Sequence, residues 1–298
     1  MQIKFSLPVV VLLFSSTGWG LTWLPLRYFE SVGLEGPLLI YIAFASAVMF
    51  LLPIFMQQIN YWKKGLHLLL LIALFGGIAN LSFQSALYYG DVVRVMILFY
   101  LLPIWSVLGG RLFLGEPIDT LRIVTLAAAI GGGFLILGGL GIFTRPPDII
   151  DMLAIISGFA FAMNNLVFRA AQSIPVISKV AAMFIGVSVF IGLFLVFDGE
   201  AIDMPSSQTT VLAVLYGVAW LLLITFGTQW GVTHLDAGRA SIIIVMELVV
   251  AVISAVIILD QPLSAVEMAG AGLVIVAALL EGAREEQGEI DASNGKMR

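Results

Sequence analysis

The chain contains no cysteine and only two histidines, His67 and His234. The first absence excludes disulfides, thiolate metal sites and iron–sulfur chemistry, and the second excludes a His-x-x-x-His zinc pair. A G-x-S-x-G nucleophile elbow is missing. So is a phosphate-binding loop, because Gly131-Gly132-Gly133 runs into Phe134 rather than into Gly-Lys-Ser/Thr. No enzyme, metal site or cofactor is expected from this sequence, and no nucleic-acid partner. Charge is scarce as well: 11% of residues are Asp, Glu, Lys or Arg, against about 25% in a soluble domain. Much of the net charge of −5 comes from Glu285, Glu286, Glu289 and Asp291, in a polar C-terminal stretch, 283–298, that reads as a solvated, poorly ordered tail on the cytoplasmic side.

In place of charge there is apolar sequence. Sixty per cent of the residues are hydrophobic, and the mean hydropathy is +1.07. Apolar runs of about 20 residues between turn or charge clusters give ten expected spans. They lie near 7–26, 37–56, 66–87, 92–113, 121–143, 149–169, 177–197, 209–232, 240–259 and 264–282. Blocks such as 66–75 show no period of two, so the spans read as helices and not barrel strands. The expected fold is an all-α integral membrane protein whose surroundings are the lipid bilayer. The first span is too long for a removable signal sequence and lacks a small-residue cleavage site.

The two halves of the chain carry the same punctuation. At an offset of 145, Gln84 falls on Gln229, Asp91 on Asp236, Arg94 on Arg239, Leu114 on Leu259 and Pro117 on Pro262. At an offset of 142, Ser15, Arg27 and Ser31 fall on Ser157, Arg169 and Ser173. Two repeats follow, 5–143 and 148–282, of five spans each. Because five is odd, the second repeat begins on the opposite side of the membrane, and the copies are inverted about an axis in the membrane plane. With the N-terminus inside, nine basic residues outside the far tail fall on the cytoplasmic side (Lys4, Lys63, Lys64, Arg111, Arg122, Arg169, Lys179, Arg239, Arg284) against three opposite (Arg27, Arg94, Arg145). The bias places both termini in the cytoplasm.

Polar residues within spans are costly and therefore informative. Asn80 and Gln84 lie four apart on the third span, Thr225 and Gln229 four apart on the eighth, and Asn164 and Asn165 on the sixth. With Trp19, Trp23 and Tyr100 they are candidates to line one substrate cavity; the other reading is that the amides only bond across helices. Glu247 is the acidic residue closest to the middle of a span, either a proton-binding site or a structural acceptor. Asp91 and Asp236 are expected to cap the helices that follow them, in turns shared with Arg94 and Arg239 that could serve as gates. Ser106-x-x-x-Gly110 and Ala251-x-x-x-Ala255 predict a close crossing of the fourth and ninth spans, or else a homodimer interface on them.

Trp19-Gly20, the two Asp-x-x-Arg turns, Leu114-Gly115-Glu116-Pro117 and Leu259-Asp260-Gln261-Pro262 resemble the drug/metabolite transporter superfamily, specifically tandem EamA domains. That resemblance covers nearly the whole chain. It implies a ten-helix secondary transporter of the inner membrane that exports a small metabolite such as an amino acid by alternating access. A lipophilic-drug exporter and a non-transporting scaffold or receptor are the alternatives. The second repeat departs from the pattern, with Asp260-Gln261 where Gly115-Glu116 stands in the first.

Overall fold

The structure is a computed structural model describing residues 5–63, 65–139, 146–198, 205–260 and 262–284. Among these residues it is entirely helical: α1 (Leu7–Gly20), α2 (Trp23–Ser31), α3 (Gly36–Gln57), α4 (Ile59–Trp62), α5 (Leu66–Tyr89), α6 (Val92–Phe99), α7 (Leu102–Leu114), α8 (Thr120–Ile136), α9 (Ile149–Ala170), α10 (Val176–Asp198), α11 (Ser207–Leu215), a π-helical turn (Tyr216–Leu221), α12 (Leu222–His234), α13 (Ala237–Ile244), α14 (Met246–Leu259) and α15 (Ala265–Gly282).

Among the described residues, nine helices or near-continuous helix pairs are long and apolar enough to cross a membrane, one fewer than the ten spans expected. The difference is α8, whose 17 residues are apolar but fall short of full span length. The fifth expected span ran to 143, and residues 140–145, with Arg145, lie outside the described residues. The other expected spans are present, but not all are single helices. The first is divided at Leu21–Thr22, the fourth at Tyr100–Leu101 and the ninth at Val245, while the eighth widens through the π turn.

The two repeats do not form separate cores. One hydrophobic cluster joins Leu12, Phe44 and Ile72 of the first half to Phe184, Ile191 and Ile224 of the second. Another joins Leu102, Ala129 and Ile136 to Leu248 and Val274. Accordingly α5 packs on α9 and α10, α1 on α12 and α14, and α8 on α15. Glycine allows the last of these to close. Added Cβ atoms at Gly132 and Gly270 would each lie 2.6 Å from the other's carbonyl oxygen, so neither position admits a side chain without moving backbone.

The fourth and ninth spans do meet, as α7 against α13, and the contact runs through Gly110 and Ala237. α7 lies against α9 and α13: Gly109 faces Leu166 and Met163, and Gly110 faces the Glu116 carboxylate and Ala237. The chain's described ends meet, since Phe5 packs beside Gly282. The first tail residues are also fixed rather than loose. Arg284 pairs with Asp119 at 2.5 Å and its carbonyl accepts from Arg239 at 2.9 Å; residues 285–298 lie outside the described residues.

Candidate functional site

Three interrupted spans meet in the interior. Tyr100 and Val245, which close α6 and α13, are 145 positions apart, so the fourth and ninth spans break at the same place in the two halves. In the fourth span Pro103 supplies the cause: it has no N–H to donate and its ring displaces the carbonyl of Phe99 from the helix ladder. That region tightens instead, with Leu101 N–H bonding Leu98 O and Ile104 N–H bonding Leu101 O. Gly158 of α9 leaves room for the Phe99 carbonyl, which would lie 2.5 Å from an added Cβ. No proline marks the break at Val245. There Glu247 occupies the first turn of α14, where a carboxylate complements the partial positive charge of the helix N-terminus.

At this junction the Tyr100 hydroxyl donates to Glu247 Oε1 at 2.6 Å. The third break closes on the same point, because an added Cβ at Gly20 would lie 2.5 Å from the Glu247 carbonyl oxygen. The indoles on either side of Gly20 in the sequence are held by their N–H groups: Trp19 donates to Thr228 Oγ1 at 3.1 Å and Trp23 to Ser254 Oγ at 3.0 Å. Phe99, packed on Phe161 at 5.9 Å between ring centres, adds an aromatic side. Glu247, Trp19, Trp23 and Phe161 all remain half-buried, whereas Tyr100 is buried.

The amides form a second group, deeper in the second half. Asn164, Asn165, Thr225 and Gln229 are all buried. Gln229 Nε2 donates to Asn165 Oδ1 at 3.2 Å, and Asn164 and Gln229 both approach the Met183 sulfur, at 3.8 and 3.9 Å. Asn164 Oδ1, Asn165 Nδ2, Gln229 Oε1 and Thr225 Oγ1 find no hydrogen-bond partner among the described residues. The mirrored pair on α5 behaves differently: Asn80 donates to its own helix at Gly76 O, and Gln84 is half-buried. The hydrogen bonds thus join the candidate residues in two sets, Tyr100 with Glu247 and Gln229 with Asn165, the second one helical turn along α9 from Phe161.

The two ends of the bundle carry ionic links between the repeats. At one end Asp91 caps α6 by accepting the Arg94 N–H at 2.9 Å. The buried Arg94 guanidinium grips Asp151 of α9 through two bonds of 2.6 Å. Asp151 gives no obvious signal alone, but Asp148-x-x-Asp151 forms the capping box that starts α9. At the other end the symmetry fails. Asp236 does not cap α13 with its side chain, contrary to expectation; it stands 3.4 Å from Arg122 and 3.8 Å from Arg169. Glu116 takes its place, accepting the N–H of Ala237 at 2.9 Å. Burial pushes the Glu116 carboxyl above the usual range, against the lowering effect of the backbone bond. Arg239, the mate of Arg94, has carbonyls as partners, bonding Glu281 O at 2.7 Å and Gly282 O at 3.1 Å at the C-terminus of α15. Glu281 itself accepts from Thr125 at 2.6 Å and lies 3.2 Å from Arg122 Nε.

Comparison with known proteins agrees with this architecture. The sequence model of the EamA-like transporter family matches residues 6–138 and again 148–281. The chain belongs to the EamA-like transporter family. A solved structure described as "Crystal structure of protein" superposes with a TM-score of 0.75 over 93% of this chain and 96% of that one, at 15% identity. At that identity the likeness is one of fold. No curated protein matches the chain. Family membership and the apolar helices make it a multi-pass membrane protein of transporter type.

Proposed function

We propose that this EamA-like protein is a secondary active transporter that moves a small organic metabolite out across the cell (inner) membrane by alternating access. Its frame is ten spans in two inverted five-helix repeats, 5–143 and 148–282, with both termini cytoplasmic. α8 supplies the tenth span. The meeting of Phe5 with Gly282 favours an even number of crossings, since it brings the described ends to one side. The inversion is supported by the path of the fourth span, which starts at Asp91 and ends beside the Asp236 turn, where Glu116 reaches Ala237.

The observation that carries the transport reading is the pair of breaks at Tyr100 and Val245. Interrupted helices in corresponding positions of two repeats place half-helix ends and uncommitted polar groups at mid-membrane, where a transported solute and a coupling ion bind. Glu247 is the group there that can exchange a proton between the two open states. Flux in proteoliposomes under an imposed pH gradient tests this. The wild type should drive solute uptake or release; Glu247→Gln, nearly isosteric and neutral, should fold but lose the dependence on the gradient. Gradient-driven flux by the Gln variant at the wild-type rate would make Glu247 a packing residue, and absence of any flux with a broad solute panel would favour a scaffold or receptor.

A further inference from the structure

We infer that the ligand bound at the Tyr100–Glu247 junction carries a positively charged nitrogen and no carboxylate: an amine or quaternary ammonium on an apolar body. The inference rests on the transport reading above and narrows its cargo. It follows from which charged groups inside the bundle are already engaged. Among the described residues, every buried basic side chain has its acceptors: Arg94 holds Asp151 in two bonds, Arg122 lies against Glu281 and Asp236, and Arg239 spans the last carbonyls of α15. Lys179 bonds Phe168 O, Ala171 O and Thr233 Oγ1. The buried acids are matched in the same way, Asp151 by Arg94, Glu281 by Arg122 and Glu116 by the start of α13.

Glu247 stands apart from this pattern. Its side chain has one recorded partner, the neutral Tyr100 hydroxyl on Oε1, and forms no ion pair with a described residue. It keeps part of its surface open although helices α1, α13, α14 and the α6–α7 break surround it. A carboxylate at mid-span is held there at a cost unless a cation or proton accompanies it. The junction offers an incoming amine this anion, and for its apolar part Phe99, which packs on Tyr100 at 5.3 Å and on Phe161 at 5.9 Å between ring centres. It offers an incoming carboxylate no uncommitted basic side chain among the described residues, and the positive end of α14 is already occupied by Glu247 itself. A zwitterion such as an amino acid would strand its own anion, so discrimination against it is built into the charge pattern.

Three probes that share a phenethyl body separate the possibilities: phenethylamine, phenethyl alcohol and phenylalanine, titrated into the full-length protein in detergent micelles with calorimetric and thermal-shift readouts. The amine should bind at least about tenfold more tightly than the alcohol or the amino acid, the scale of one charge-assisted hydrogen bond. Glu247→Gln should abolish that preference while unfolding at a temperature close to wild type. Tyr100→Phe, which removes the hydroxyl but not the carboxylate, should keep the preference and show that the site survives substitution. Equal binding of amine and alcohol, tighter binding of phenylalanine, no saturable amine binding, or a preference that persists in Glu247→Gln would each overturn the inference. Flux of a neutral or zwitterionic solute in the proteoliposome assay would then still uphold transport, so the two readings fail separately.

Discussion

Glu116 of the first repeat accepts the N–H of Ala237 in the second at 2.9 Å, and so caps a helix belonging to the other half of the chain. Gly110, whose added Cβ would collide with this carboxylate, leaves it the space. The mirrored helix, α6, needs no such help, because Asp91 caps it from its own turn. In the repeat pattern Glu116 corresponds to Gln261, which lies outside the described residues. The division of labour matches the sequence asymmetry: the first repeat supplies the carboxylate to the second.

Removing this cap should cost stability. Glu116→Ala is expected to lower the unfolding free energy by about 1–3 kcal/mol, the cost of leaving a buried donor without its acceptor, and Glu116→Gln by less, since its amide oxygen still accepts. The pH dependence has a definite sign. Burial raises the folded-state pKa of Glu116 above its ordinary value of 4.5, so the folded state binds this proton more tightly than the unfolded one. The associated stability is present at low pH and is lost as pH rises through the raised folded value. Thermal unfolding just above the ordinary carboxylate range should show wild type losing ground to Glu116→Gln with rising pH; the opposite slope would mean that the carboxylate is better stabilised as an anion.

Asp91 and Asp236 occupy equivalent turns but should respond unequally. Asp91→Ala deletes a side-chain cap, with an expected loss of about 0.5–2 kcal/mol. Asp236 makes only longer contacts to Arg122 and Arg169 from a side chain 40% exposed, and its replacement by Ala should cost under about 1 kcal/mol. Melting temperatures of the two variants, measured side by side, decide this. A larger loss at Asp236 would show that its ion pairs matter more than the missing cap.

Arg94 and Asp151 form a buried pair that joins the repeats at the end opposite Glu116. Either single change, Arg94→Met or Asp151→Leu, leaves one charge without its counterpart and should destabilise by about 3–5 kcal/mol. The double variant removes both charges and should recover much of that loss. Additive losses in a double-mutant cycle of unfolding free energies would show that the two residues act independently.

Much of this arrangement was legible in the chain because rare polar residues stood out in apolar sequence. The offset that aligned Asp91 with Asp236 also aligns the breaks at Tyr100 and Val245, but only the first carries a proline; the other follows from tertiary packing around Glu247, which no local pattern records. The division of the first span at Leu21–Thr22 and the π turn at Tyr216–Leu221 were hidden for the same reason, since their residues are as apolar as the helices around them. Asp151 could have been found as the acid of a capping box, yet its pairing with Arg94 spans 57 positions and depends on how α6 meets α9. The amides of Gln84 and Gln229 looked equivalent by spacing. They differ because Gln229 is buried with Asn165 and Met183 as neighbours, while Gln84 is half-buried.

The proposed topology is tested by labelling, which the absence of cysteine makes simple. The turns themselves are poor sites: a side chain at Gly238 would meet Arg122, and one at Gly90 would press on the Ala86 carbonyl. Ser31, at the end of α2, and Lys63, between α4 and α5, are exposed and separated by α3, one full span. Ser207, at the start of α11, is also exposed and begins the span that ends at His234 beside the Asp236 turn. With both termini cytoplasmic, Lys63→Cys should react with an impermeant maleimide only when the cytoplasmic face is open to the reagent. Ser31→Cys and Ser207→Cys should react in intact cells. Ser31 lies in the first repeat after one span and Ser207 in the second after two, so their appearance on one face is what an inverted second copy requires. If Ser207 instead labelled with Lys63, the second repeat would run parallel to the first, and an odd number of crossings in each repeat would have to be abandoned.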